Sequence, residues 1–229
     1  MKALIYKELK LAMHPICYVF IILFPFMILI PSYPIAVGFI YVLSCYPILF
    51  LGANKGQQSN DLLFSTLLPV RKKDIVLARI ITVIIMQVAF MLIMSCLLPV
   101  AYVLQNSIVV EGGDEATAAI MNPGFNLNSY VLVLAIAFVG FAFADLIFFP
   151  IYYKNGKSIV LSTLMTLLGF VVYLGVGTIA LPYIIGVEKA NAVPLWIQFV
   201  SLAGAILISF LIHILVYKIS SKRLEKVDF

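Results

Sequence analysis

SNDLLFSTLLPVRKKDIVLAR, residues 59–79, is a short charged interval between two long apolar runs. Ser59, Asn60 and Asp61 suit a helix N-cap, and Asp61 also suits the positive end of a helix dipole. About two turns follow, with Leu63, Phe64 and Leu67 on one side and Leu68 at its edge. Pro69 disfavours helix at the residue before it and ends the segment. The basic cluster Arg71-Lys72-Lys73 comes next. A two-turn helix is marginal in water and must pack on something. The membrane surface would take the leucines into lipid and the basic residues onto headgroups. A groove in a cytosolic partner would take the same apolar face. The residues alone leave both open, and the choice depends on where the chain places this loop.

The flanking composition answers the first half of that question. The chain of 229 residues is 64% hydrophobic and only 11% charged, against roughly 25% charged in soluble domains. So little polar surface cannot cover so much apolar surface, and lipid must be part of the solvent. Segments of about the length needed to cross a bilayer fall at 16–31, 35–53, 79–104, 129–150, 159–181 and 195–217. The first follows Lys2, Lys7 and Lys10 and so resembles a signal-peptide core. The next span begins after only PSYP, however, and no small-residue cleavage site intervenes.

Charge gives the sidedness. With the N-terminus in the cytosol, 14 of the 15 basic residues fall on inner segments, and only Lys189 falls outside. The outer loop 105–128 carries Glu111, Asp114 and Glu115 and no Lys or Arg. The positive-inside rule therefore predicts six spans with both termini cytosolic, an all-α integral membrane fold in one transmembrane domain, 1–229. Its parts are a surface helix at 1–14, a cytosolic loop at 54–78, the outer loop at 105–128 and a cytosolic tail at 218–229. The net charge of +5 follows from this sidedness and points to anionic lipid headgroups, not to nucleic acid.

Catalytic patterns are missing. No His-Glu-x-x-His or Gly-x-Ser-x-Gly motif occurs. Gly156-Lys157-Ser158 echoes the end of a phosphate-binding loop, but that loop needs a Gly where Ile151 stands. Cys17, Cys45 and Cys96 are spaced neither as a zinc site nor as a disulfide framework. His14 and His213 read as interfacial residues. Asp145 falls within the fourth span, where a charge is costly. An ion pair or hydrogen bond that fixes the helix end accounts for it, and a proton or substrate site is the sharper alternative. Pro25, Pro47, Pro99, Pro150 and Pro182 interrupt or end apolar runs, and Gly169, Gly175 and Gly177 in the fifth span admit a close neighbour.

The N-terminal MKALIYKELKLAMHP places Ile5, Leu9 and Ala12 on one helical face and Lys7, Lys10 and His14 on the other. This reads as an amphipathic helix along the inner membrane surface.

In that order of parts the chain resembles the permease subunits of ABC-2 type exporters. In the family the loop between spans 2 and 3 often runs from an acidic residue to Leu-Leu-x-x-Leu-Pro-Val, basic residues and Ile-Val-x-x-Arg/Lys. Here stand Asp61, Leu67-Leu68-Pro69-Val70, Arg71-Lys72-Lys73, Ile75-Val76 and Arg79. FFPIYYKNGKS, 148–158, resembles the exit of span 4 in a Gram-positive subgroup of small six-helix permeases. Two features depart from the pattern: the connection at 182–194 is short, and the longest outer loop is 105–128.

The resemblance implies a bacterial plasma-membrane permease whose 61–68 helix is a coupling helix seated in a cytosolic ATPase subunit. Asp61, Leu63, Phe64, Leu67, Leu68, Pro69, Arg71 and Lys72 would form that contact. ATP and Mg would be used by the partner, with no cofactor bound by this chain. A second permease, identical or closely related, would complete the assembly. Members of the subgroup export amphipathic or antimicrobial peptides such as phenol-soluble modulins and lantibiotics, so a hydrophobic or amphipathic peptide is the expected cargo. The alternatives are a non-transporting immunity or scaffold protein, which would tolerate changes in 61–71, and an ion-coupled transporter, which would cluster polar groups at the membrane midplane.

Overall fold

The structure, a computed structural model, describes residues 2–12, 15–29, 70–107, 130–155, 159–185 and 194–226. Its regular elements are all helices. Helix α1 (Lys2–Lys7) runs on through a π-helical turn, Glu8–Ala12. Helix α2 (Pro15–Leu23) tightens into a 3-10 stretch, Phe24–Leu29, that contains Pro25. The long helices follow: α3 (Lys72–Ser107), α4 (Tyr130–Asn155), α5 (Ile159–Ile185) and α6 (Leu195–Glu225). Helices α2 to α6 fall on the expected spans 1, 3, 4, 5 and 6. Span 2, the loop segment up to Pro69, the outer loop beyond Ser107 and Gly156-Lys157-Ser158 lie outside the described residues. Three described helices are long and apolar enough to cross a membrane, within Lys72–Leu97, Leu134–Lys154 and Leu195–Glu225; Cys17–Phe26 and Ile159–Tyr173 are shorter apolar helices.

Two boundaries differ from expectation. Helix α3 starts at Lys72, so residues 72–78 are its first two turns and Arg79 lies inside it. The carbonyl of Arg71 opens the helix by accepting from the amides of Asp74 and Ile75, at 2.9 and 3.4 Å. Asp74 in the first turn offsets the positive helix end among three basic neighbours. At the other terminus the expected tail is no separate piece: α6 continues without a break through Glu225.

Side-chain polarity is turned inside out in α6, as lipid demands. Its buried residues are Gln198, Ala205, Ser209, Val216, Ser220, Ser221 and Leu224, and most recur at helical spacing on one face. Trp196, Phe199, Val200, Leu207, Phe210 and Leu211 are exposed. In water that arrangement would be unstable. In a bilayer the large apolar groups meet acyl chains, and small or polar groups let backbones pack closely. Helix α5 follows the same rule, with Ser162, Thr166 and Phe170 buried and Val160, Leu164 and Leu168 exposed.

Helix α4 is the centre of the bundle, with α6 and α5 packed along it, while α3 packs against α6, α1 and the 3-10 stretch after α2. The core stripe of α3 is Val76, Ile80, Val83, Met86, Phe90 and Met94, a run at three- and four-residue spacing. The α4–α5 contact is close because of two glycines. A Cβ on Gly140 would come within 2.9 Å of the Tyr173 ring, and one on Gly169 would collide with Ile147. Gly169 thus admits a neighbouring helix as its spacing suggested, and the neighbour is α4. Near the end of α4, Phe148 stacks on Tyr152 and Phe149 on Tyr153, with all four rings buried. The aromatic half of the FFPIYY segment is therefore core.

Candidate functional site

Helices α1, α3, α4 and α6 converge at one end of the bundle, the end that carries Lys72 and Glu225. Arg79 sits there two turns into α3, and its geometry is set by three helices. Its Nε donates to Oε2 of Glu8 at 3.0 Å, and its Nη2 to Oε1 at 3.3 Å. Nη1 donates to the Tyr152 hydroxyl at 3.3 Å. The fork of the guanidinium matches both carboxylate oxygens, the strongest form of such a contact. Both Glu8 and Arg79 are buried, so the pair is largely withdrawn from screening by salt. Lys7 adds a second cation 3.7 Å from Glu8. The N-terminal helical segment is thereby fastened to the base of α3, 71 residues away in sequence.

Helix α6 closes the same end. Arg223 donates to the carbonyl oxygen of Pro150 at 2.6 Å, beside the proline that interrupts the hydrogen-bond ladder of α4. Lys73 and Glu225 approach to 3.2 Å with both side chains about half exposed, which makes this a weak tie of roughly 0–1 kcal/mol.

A second polar junction lies deeper. Asp145, fully buried, accepts at Oδ2 from Nε2 of Gln87 in α3 at 2.9 Å. The same oxygen lies 2.9 Å from Nε2 of His213 in α6. The other ring nitrogen of His213, Nδ1, lies 2.7 Å from the Ser209 carbonyl. One carboxyl thus joins α3, α4 and α6. The cost of burying it is offset by partners on both sides.

These positions correct several expectations. Arg79 is not a loop residue but a buried member of α3. His213 is not interfacial: its side chain is 10% exposed and bonded to Asp145. Asp145 is held by Gln87 and His213. Of the residues expected to meet an ATPase, Arg71 is exposed just before α3 and Lys72 opens that helix. Asp61, Leu63, Phe64, Leu67, Leu68 and Pro69 lie outside the described residues. Among the described residues no cluster of His, Cys, Asp and Glu could hold a metal ion.

Some of what was missed had a signal in the sequence. Glu8 lies between Ile5, Leu9 and Ala12, so an acid stands on the apolar face of α1. Gln198, Ser209, His213 and Ser220 mark one face of an otherwise apolar helix. Nothing local marks Arg79, because a basic residue at the edge of an apolar run reads equally well as the end of the loop.

No curated protein and no solved structure matches the chain. The family model described as ABC-2 family transporter protein matches residues 3–221. That match spans α1 to α6 almost entirely, with the Glu8–Arg79 and Asp145–His213 contacts inside it. A multi-pass helical bundle with lipid-adapted faces, and with no nucleotide-binding motif in its sequence, is what the membrane component of such a transporter requires. The chain belongs to the ABC-2 transporter family, as a permease-type membrane component.

Proposed function

We propose that this chain is the membrane half of an ATP-driven exporter, with a separate cytosolic ATPase docked on the helix at 61–68. The family match over residues 3–221, in a chain whose own GKS lacks the rest of a phosphate-binding loop, carries the proposal. Energy then has to come from a partner, and the loop before α3 is where the sequence offers that partner an apolar helix followed by basic residues. The base of α3 supports the assignment. The helix begins at Lys72, directly after the docking segment. Two turns on, Arg79 joins it to α1 and α4, and Lys73 joins it to the end of α6. A displacement imposed on 61–71 is delivered to a bundle end where four helices are already tied. Two permease units and two ATPase units form the working assembly in this proposal. The cargo is a hydrophobic or amphipathic peptide, taken up along apolar helix faces.

The test is recovery of the partner. The tagged chain, isolated from its native membranes in mild detergent, brings down an ATPase, and Leu67→Asp loses it while remaining inserted. Absence of any ATPase from the native chain, with the chain itself intact, would overturn the proposal.

The Gln87–Asp145–His213 junction favours a second possibility, an ion-coupled carrier, because it gathers polar groups inside the bundle. Transport that persists without a nucleotide-hydrolysing partner and stops when the proton gradient is collapsed would select it.

A further inference from the structure

The hydrogen bonds of His213 determine how many protons the deeper junction holds. A carbonyl oxygen only accepts, so the 2.7 Å contact with the Ser209 carbonyl places a hydrogen on Nδ1. A neutral imidazole has no second hydrogen to give. Its Nε2 would then present a lone pair to a carboxylate oxygen 2.9 Å away, which is repulsive in a buried site. A proton must therefore lie between Nε2 and Oδ2. Either a protonated Asp145 donates to a neutral ring, or an imidazolium donates to the carboxylate. Both arrangements hold one proton more than a neutral histidine beside a free carboxylate, and both are uncharged overall. Gln87 is compatible with either, because its amide donates to Oδ2 in both.

We propose that the Asp145–His213–Gln87 junction is a proton-binding site, and that one bound proton is part of the packing of α6 against α4 and α3. Proton binding is a simple uptake from solvent: carboxylate and neutral imidazole gain one proton between them as the helices close, and release it as they part. The surrounding groups do not compete for that proton. Gln87, facing from α3, is uncharged. Arg79, two turns toward the base on the same helix, is occupied by Glu8. On α4 the nearest titratable groups are Tyr152 and Tyr153, two turns toward the base. On α6 the nearest is Tyr217, one turn on, followed by the exposed Lys218, and α5 carries tyrosines but no acidic or basic side chain. This inference stands on hydrogen-bond geometry and is independent of the ATPase assignment.

Proton counting gives a pH signature. When the helices separate and both side chains meet water, histidine titrates near pH 6.5 and aspartate near 3.9, so about pH 6.5 divides two regimes. Between those values the separated pair also holds one proton, and stability is independent of pH. Above about pH 6.5 the separated pair holds none while the closed pair keeps one, so the ratio of closed to open falls roughly tenfold per pH unit. Asp145→Asn reverses the pattern. The asparagine amide donates to Nε2 without any added proton, so the variant is flat above about pH 6.5 and weakens roughly tenfold per unit below it, as the freed histidine takes a proton.

The experiment is denaturant unfolding of the full-length chain in detergent, native and Asp145→Asn, from about pH 5 to pH 9 on either side of the histidine midpoint. Profiles that diverge above that midpoint, with the native chain losing stability, are expected, and parallel profiles would overturn the site. Should the variant fail to fold, nitrogen NMR of His213 in the native chain decides. At a pH about two units above the midpoint, a ring protonated at Nδ1, alone or as imidazolium, supports the site. A neutral ring with its only hydrogen on Nε2 overturns it.

Discussion

Arg79 and Glu8 form the strongest individual contact described here. Removing one member of a buried, forked ion pair leaves the other charge without compensation, at a cost of about 3–5 kcal/mol. Arg79→Leu or Glu8→Gln is therefore expected to lower the unfolding midpoint of the detergent-solubilised chain sharply. Glu8→Leu combined with Arg79→Met should recover most of that loss, because replacing both charges with apolar side chains also removes the desolvation cost. A second prediction concerns Asp145. Asp145→Asn keeps a donor toward His213 and is expected to leave export intact when assayed near neutral pH, whereas a collapse of export at normal protein level would make the carboxyl part of the transport step. The sequence revealed these residues unevenly. Asp145 stood out because it is an acid inside an apolar run. Its partners did not: Gln87 is neutral, and His213 sits close enough to Lys218 to pass for an interfacial residue. Pairings across 58 and 68 residues are set by how helices dock, which no local pattern encodes.

At the scale of helices, most of the described elements were legible. Apolar length alone located α2 to α6, since roughly 20 apolar residues satisfy a bilayer. Charge marks only the region of headgroups and water and not the end of a helix, which is why α3 starts before the apolar run does. A helix satisfies its backbone in either solvent, so α3 extends to Lys72. Which helices touch was less readable, except where side chains are missing. Gly140 and Gly169 bring α4 and α5 together, where the Tyr173 hydroxyl also donates to the Ile136 carbonyl and its ring stacks on Phe143. Gly169→Leu is expected to destabilise the bundle by about 1–3 kcal/mol through forced separation from Ile147, seen as a lower unfolding midpoint and increased proteolysis between α4 and α5. Gly204→Ala is the matching control, since a Cβ there meets nothing within 4 Å, and it should leave stability unchanged within about 0.5 kcal/mol.

For the whole molecule, the family assignment was legible from the order of parts and the charged loop, and the family model over residues 3–221 agrees with it. Cargo was not legible, for a physical reason. Faces that accept an apolar peptide and faces that accept acyl chains have the same chemistry, as the exposed Phe199, Leu207 and Phe210 of α6 illustrate. Coupling can be tested without knowing the cargo. Charge reversal at Arg71 and Lys72 is expected to abolish stimulation of the ATPase while membrane insertion and chain level stay normal; unchanged stimulation would remove these residues from the docking surface. Helix α6 bears on a different matter, biosynthesis. Glu8 is made before Arg79 and waits for it, but the grip of Arg223 on the Pro150 carbonyl can form only after α6 has been made. Until then one end of α4 lacks its last clamp. A nascent chain is thus mechanically incomplete until Arg223 leaves the ribosome, and a chain cut shortly before Arg223 is expected to keep the apolar length of α6 yet leave that end of α4 unclamped, which increased proteolysis would reveal.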